Sequence, residues 1–208
     1  MDSGVEALTN YKMFIGGEWV DSASGETFES FNPYTAQPWA LMPKGNAEDI
    51  DHAVEAADKA FNGGDWPALT ATARGHMIGK FADLIAEKAD ELAEIEVRDN
   101  GKLIAEMSAQ CKYLTQWYYY YAGLCDKVEG SVIPIDKPGH FNYTVWEPLG
   151  VCACIVPWNS PLLLLAWKLA PLLAAGNTAV IKPSEYTSAS TLEFMKIAER
   201  VFPPGVVN

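Results

Sequence analysis

The sequence predicts an α/β fold built on a parallel sheet, and three observations carry that reading. Val151–Pro157, "VCACIVP", is a nearly continuous apolar run of strand length, the pattern of a strand buried on both faces. A helical pattern follows from about Ser160 to Ala174, closed by Gly176-Asn177. A second short apolar strand, "TAVIK" (Thr178–Lys182), then precedes the amphipathic stretch "TSASTLEFMKIAERVF", which Pro203-Pro204-Gly205 stops. Strand, helix, strand, helix is the start of a parallel sheet, because parallel strands require crossover connections.

The elements before this sheet follow from local signals. "KMFIGGEWV" (Lys12–Val20) has two β-prone runs around Gly16-Gly17 and predicts a hairpin. A loop is expected through "NPYTAQP". Asn46 can cap a helix with Glu48 and Asp49 in its first turn, and Ile50, Ala53, Val54, Ala57 and Phe61 repeat at helical spacing. Asn62-Gly63-Gly64 ends it. Thr70 can cap a second helix, with Ala73, Met77, Phe81, Leu84 and Ile85 along one side. A separate third segment around Leu92, Ile95 and Glu96 ends near Asn100-Gly101. A fourth helix runs from about Lys102 to Tyr121 and carries "WYYYY" (Trp117–Tyr121), five aromatics that cannot share one helix face. From Val128 the period changes, and "VEGSVIPI" and "HFNYTVWEPLG" read as extended strands of a projecting arm.

Composition narrows the function classes. The chain has 208 residues, 49% of them hydrophobic, which suits one domain with a real core or one domain plus an appendage. A net charge of −12 repels a phosphate backbone, so no nucleic-acid partner is expected. The longest greasy run, Pro161–Ala175, is shorter than the ~20 residues of a spanning helix and is broken by Lys168 and Pro171, so no membrane span is expected. Met1–Asn10 has neither a basic start nor an apolar core, which predicts no secretory signal and a cytoplasmic chain. The four cysteines, Cys111, Cys125, Cys152 and Cys154, form no C-x-x-C and read as reduced, small buried hydrophobes. Three scattered histidines suggest no metal site. The glycine-rich dinucleotide fingerprint, the P-loop and the G-x-S-x-G elbow are all absent.

Two clusters remain. Parallel α/β sheets bind ligands beyond the carboxyl ends of their strands. In "CIVPWNSPL", Asn159 directly follows one strand, and Lys182 ends the next. If those strands are neighbours, both side chains emerge at one sheet edge. Asn159 can act on a ligand there or tie off a turn. In "IKPSE", Pro183 leaves Lys182 and Glu185 on either side of a tight corner. Spacing leaves three readings open: a surface ion pair, a clamp on a vicinal diol such as a ribose, and a Schiff-base lysine.

"EPLGVCACIVPWNSPLLLLAWKLAPLLAAGNTAVIKPSE" (Glu147–Glu185) resembles the NAD(P)-dependent aldehyde dehydrogenase family, and "FIGGEW", "FNPYTAQ", "AVEAADKAF" and "FPPGVVN" agree with it. The resemblance runs from about Tyr11 onward. It implies a Rossmann-like sheet with flanking helices, whose hairpin and helical part is residues 1–127 and whose first βαβα part is residues 150–208. Residues 128–149 would be the arm, used to form a homo-oligomer. It implies oxidation of an aldehyde substrate to a carboxylic acid with NAD, or with NADP. By motif, Asn159 would be the oxyanion-hole donor. Ile155, Val156, Pro157 and Trp158 would line the nicotinamide side, and Lys182, Ser184 and Glu185 would hold the adenosine ribose. Glu185 would repel a 2′-phosphate and so favour NAD. None of the four cysteines matches the family's nucleophile, and its general-base glutamate has no counterpart here. The sequence thus resembles the N-terminal part of such an enzyme, expected to be inactive alone. The alternative is a non-catalytic nucleotide-binding or oligomerisation module that joins a complete subunit.

Overall fold

The computed structural model describes residues 7–208, so the reading of Met1–Asn10 as free of an export signal lies largely outside the described residues. Strand β1 (Thr9–Asn10) is followed by a hairpin of β2 (Met13–Ile15) and β3 (Glu18–Val20). Gly16 and Gly17 turn it with φ of 63° and 90°, the double positive φ that a tight two-residue hairpin needs. Phe14 and Trp19 pack across it with ring centroids 5.0 Å apart.

The loop expected through "NPYTAQP" is a turn at residues 33–36, and what was not expected is the hairpin it closes, β4 (Thr27–Asn32) and β5 (Gln37–Pro43), which β1 joins in parallel on β5. The cause is local. Asn32 Oδ1 accepts the Tyr34 N–H at 2.9 Å and closes the turn, so only the tip of the motif is irregular.

Helix α1 (Ala47–Asn62) starts as predicted, with Asn46 and Asp49 capping each other's backbone. Its expected apolar face is only half used. Ala53 and Ala57 are buried, while Ile50 and Val54 are exposed. The predicted second and third helices are one 30-residue helix, α2 (Ala71–Asn100). No glycine or proline interrupts Ile85–Leu92, and Ile85, Ala89 and Leu92 continue one buried stripe. Thr70 caps the start, and Gly101, at φ 71°, closes the end. Helix α3 (Ile104–Leu124) packs against α2. Its aromatic run divides as expected: Tyr118 is fully buried, while Tyr119 and Tyr120 face outward.

Residues 127–149 are exposed throughout. The two extended segments expected there contribute only β6 (Val132–Ile133) and β7 (Asn142–Tyr143), an antiparallel pair. Strands β8 (Val151–Ile155) and β9 (Thr178–Lys182) then pair in parallel, Ile155 opposite Lys182, with α4 (Pro161–Ala174) between them in sequence and α5 (Ala189–Ala198) after β9. On the other side of β9, Ala179 bridges Val207 in parallel.

Burial of β8 on both faces is overturned. Cys154 points into the main core, but Ala153 and Ile155 on the opposite face are exposed. Helix α1 packs on that second face, where Ala53 and Ala57 cover Val180 and reach Val151, leaving the last residues of β8 uncovered. The main core lies on the other face, among α2, α3, α4 and α5. All four cysteines are free thiols, with Cys152 the least buried. No helix among the described residues is long and apolar enough to cross a membrane.

Distant ends of the chain meet. Asn208 Oδ1 accepts the Gly16 N–H at 2.8 Å, and Asn208 Nδ2 donates to Ala179 and Gly205 carbonyls. Phe81 anchors the core, fully buried with ring contacts of 5.2 Å to Tyr118 and 5.0 Å to Phe194 and Phe202. Phe81→Ala should lower unfolding free energy by about 3–5 kcal/mol in a urea titration. A loss below about 1 kcal/mol would show that this ring cluster does not organise the core.

Candidate functional site at the carboxyl edge of the parallel strands

The site begins where β8 and β9 end. The Val156 N–H donates to the Lys182 carbonyl at 3.2 Å, which extends the parallel pairing one step past β8. Extended backbone alternates its side chains, so Ile155 is exposed, Val156 is 3% exposed and Pro157 is exposed again. Val156 can therefore meet a ligand only through its backbone. Trp158 and Asn159 lie exposed on the bend before α4. The expected neighbourhood of β8 and β9 is correct, so the Asn159 bend and the Lys182 corner share one sheet edge.

The N-terminus of α4 has an unusual cap. Ser160 is a cap-competent residue, yet its hydroxyl makes no cap bond and instead accepts the Lys102 ammonium at 2.9 Å. The cap comes from α2. Glu96 Oε1 accepts the Leu162 N–H at 2.9 Å and lies 3.5 Å from Ser190 Oγ. At the other end of α4, Arg74 Nε donates to the Ala174 carbonyl and Trp66 Nε1 to the Gly176 carbonyl, both at 3.0 Å.

The second half of the site repeats this arrangement. Lys182 Nζ is 3.6 Å from Glu185 Oε2, an exposed ion-pair contact too long for a hydrogen bond. Glu185's own backbone N–H, then Lys182 and Ser184, hold its carboxyl below the usual range. Ser184 is buried and shapes the corner: its carbonyl accepts from Ser188 Oγ at 2.9 Å and from the Thr187 N–H at 3.1 Å. Asp99, one turn beyond Glu96, accepts the Ala189 N–H of α5 at 2.9 Å and Ser30 Oγ at 2.7 Å. Beside the corner lies a cavity of about 780 Å³, lined by Lys182 and Glu185 together with apolar residues that include Met13, Ile15, Met42 and Leu192. Ile155 to Asn159 do not line it.

An ammonium with three donors beside an acceptor-only carboxylate suits a vicinal diol, and both groups are exposed enough to meet one. No cysteine is an activated thiol. Burial pushes Cys111, Cys125 and Cys152 up, and Cys154 up to about 11. Sequence reasoning missed Glu96, Asp99 and Lys102. The available signal was two acidic residues continuing the buried stripe of Leu92 and Ala93.

Fold and site together define a dinucleotide-type α/β unit with a carboxamide and an ammonium–carboxylate corner at one sheet edge. The aldehyde dehydrogenase family model matches residues 19–208, and the chain belongs to that family. It is 46% identical over 97% of its length to a (Z)-2-((N-methylformamido)methylene)-5-hydroxybutyrolactone dehydrogenase of Acinetobacter baylyi, of which it covers 41%. It is 44% identical over 95% of its length to human aldehyde dehydrogenase 1A1, of which it covers 40%. An aldehyde dehydrogenase variant from Bacillus cereus superposes with a TM-score of 0.93 at 43% identity, covering 96% of this chain and 41% of that one. A Staphylococcus aureus betaine aldehyde dehydrogenase variant in complex with NAD+ gives 0.92 at 39% identity, covering 97% and 41%. The chain thus spans about two fifths of the length of these relatives.

Burial raises Glu96 to about 7 from an ordinary 4.5 and Asp99 to about 6 from 3.8. Lys102 opposes the shift at Glu96, and Asp99 adds to it. Because the folded pKa values exceed the unfolded ones, the native chain binds more protons in this range. Stability attributable to these groups is full below about pH 4 and falls as pH rises to about 7. Glu96→Gln should remove Glu96's share, on the order of a few kcal/mol, and flatten the pH dependence of Tm between pH 5 and 7.5. An unchanged slope would show that Glu96 does not titrate in that window.

Proposed function

We propose that the chain supplies the oxyanion donor and the ribose-holding corner of an NAD-dependent aldehyde dehydrogenase site. The carrying observation is the parallel register of β8 and β9, which brings the Asn159 bend and Lys182 to one edge. Asn159 donates its carboxamide N–H to the aldehyde oxygen as a thiolate attacks the carbonyl carbon. A donor of that kind lowers such a barrier by ~2.7–4 kcal/mol. The thiolate belongs to a cysteine other than the four here, whose thiols are all held protonated by burial. When bound, NAD would supply the acceptor for the hydride lost from the thiohemiacetal carbon. Lys182 would donate to the ribose hydroxyls and Glu185 would accept from them, with Ser184 holding the corner in shape. Ile155, Pro157 and Trp158 present side chains, and Val156 its backbone, on the nicotinamide side. Glu185's negative charge disfavours a 2′-phosphate, hence NAD over NADP.

Calorimetry with NAD should give a saturable isotherm. Lys182→Ala removes a charged donor worth about 1.5–3 kcal/mol, a roughly 10- to 100-fold weaker Kd. No heat at millimolar NAD would sink the ribose assignment. The 208 residues alone should give no steady NADH with any aldehyde, and sustained turnover by the pure chain would refute the assignment of the thiolate elsewhere.

A second reading rests on residues 127–149. Val132, Phe141, Trp146 and Leu149 are 67%, 73%, 74% and 90% exposed, a large apolar outlay for a free surface. It makes the arm the element through which copies of the chain, or a complete subunit, associate. Light scattering should show an oligomer that charged substitutions at Phe141 and Trp146 dissolve. A monomer at all concentrations would count against the arm.

A further inference from the structure

Helices α4 and α5 share a feature that neither needs in order to be a helix. Each begins with a serine at its cap position, Ser160 and Ser188, and neither serine caps. Ser160 Oγ accepts from Lys102, and Ser188 Oγ donates back to the Ser184 carbonyl. The free N–H groups are met from outside, by two carboxylates on one face of α2: Glu96 for Leu162 and Asp99 for Ala189. Both carboxylates are almost fully buried, 1% and 4% exposed. A self-capped helix can shift as a body relative to its neighbours. A helix whose first turn is held by another helix's carboxylate is registered to that helix.

The registered turns are the ones that matter for the site. Asn159 lies three residues before Leu162, and Lys102 holds the intervening Ser160 at 2.9 Å. Glu185 lies four residues before Ala189, linked through the Ser184–Ser188 hydrogen bond of 2.9 Å. We propose that Glu96 and Asp99 are positioning residues that fix the Asn159 bend and the Lys182–Glu185 corner in one common frame, α2. The proposal rests on the site reading given above, and it extends that reading to residues that touch neither substrate nor cofactor. Because the two carboxylates are three residues apart on a rigid helix, the spacing of the two helix starts is set by α2 and not by the two loops.

Hydrogen exchange of the 208-residue chain, followed by mass spectrometry, separates this from a general contribution to stability. Glu96→Ala should speed exchange across residues 157–164 roughly tenfold and leave residues 183–189, which precede its weak 3.5 Å contact with Ser190, within about twofold. Asp99→Ala should do the reverse. Glu96→Gln and Asp99→Asn keep an acceptor oxygen and should restore most of the protection. Lys102→Ala, whose side chain is 25% exposed, should loosen the 158–161 bend alone, and it keeps the proposal open to test if either alanine variant fails to fold. Equal loosening of both segments by each variant, or loosening of neither, overturns the proposal. A crossed exchange pattern combined with NAD binding that is indifferent to Lys182→Ala would leave the common frame standing and remove the ribose assignment.

Discussion

Two carboxylates on the last turns of α2 tie the starts of α4 and α5 to one helix. Glu96 and Asp99 are taken out of water, which costs several kcal/mol per ion unless each finds donors. Each finds the N-terminus of a helix, where unpaired N–H groups and the helix dipole offset part of that cost, although burial still raises both groups above their ordinary range. The arrangement is mutual: the helices gain caps and the carboxylates gain partners. Arg74 and Trp66 meet the far end of α4 through its last carbonyls, so α4 is held at both ends by residues from the α2 region. The sheet edge inherits its geometry from this bracket.

Much of the fold was legible in the sequence because it is set by signals a few residues apart. The Asn46 cap, the Gly16-Gly17 turn and the β8–α4–β9–α5 alternation are of that kind. The second hairpin was not legible: its strands sit either side of a turn whose motif reads as loop, and β1 completes their sheet from a distance. The continuity of α2 was missed because its buried stripe thins to alanines between Ile85 and Leu92. The two-sided burial expected of β8 failed for a related reason. Apolar sequence reports what a strand could bury and is silent on whether a helix lies over it, and α1 stops short of Ala153 and Ile155.

The candidate site shows the same division. Asn159, Lys182 and Glu185 could be singled out because residue type, strand ends and family likeness coincide. Glu96, Asp99 and Lys102 could not, because the partners that tie them to the site, Leu162, Ala189 and Ser160, are 58 to 90 residues away and are backbone or serine hydroxyl groups. A pattern of residue types carries no mark of which distant N–H an acidic side chain will meet. Ser184 lies between these cases: the family motif named it, and the structure gives it a shaping role at the corner.

The hydrogen bonds of Asn208 also bear on the order of folding. Its side chain joins the first hairpin, at Gly16, to β9, across 192 residues of sequence. Contacts of that separation form late, after the entropy of closing the intervening chain has been met by other contacts. On a ribosome adding about 5–20 residues per second, the β2–β3 hairpin emerges roughly ten seconds or more before Asn208 can hold it. A two-strand hairpin is marginal alone in water. The last tie on the N-terminal hairpin is therefore made only when the far end of β9's neighbour arrives, so until then the hairpin depends on its packing against α1.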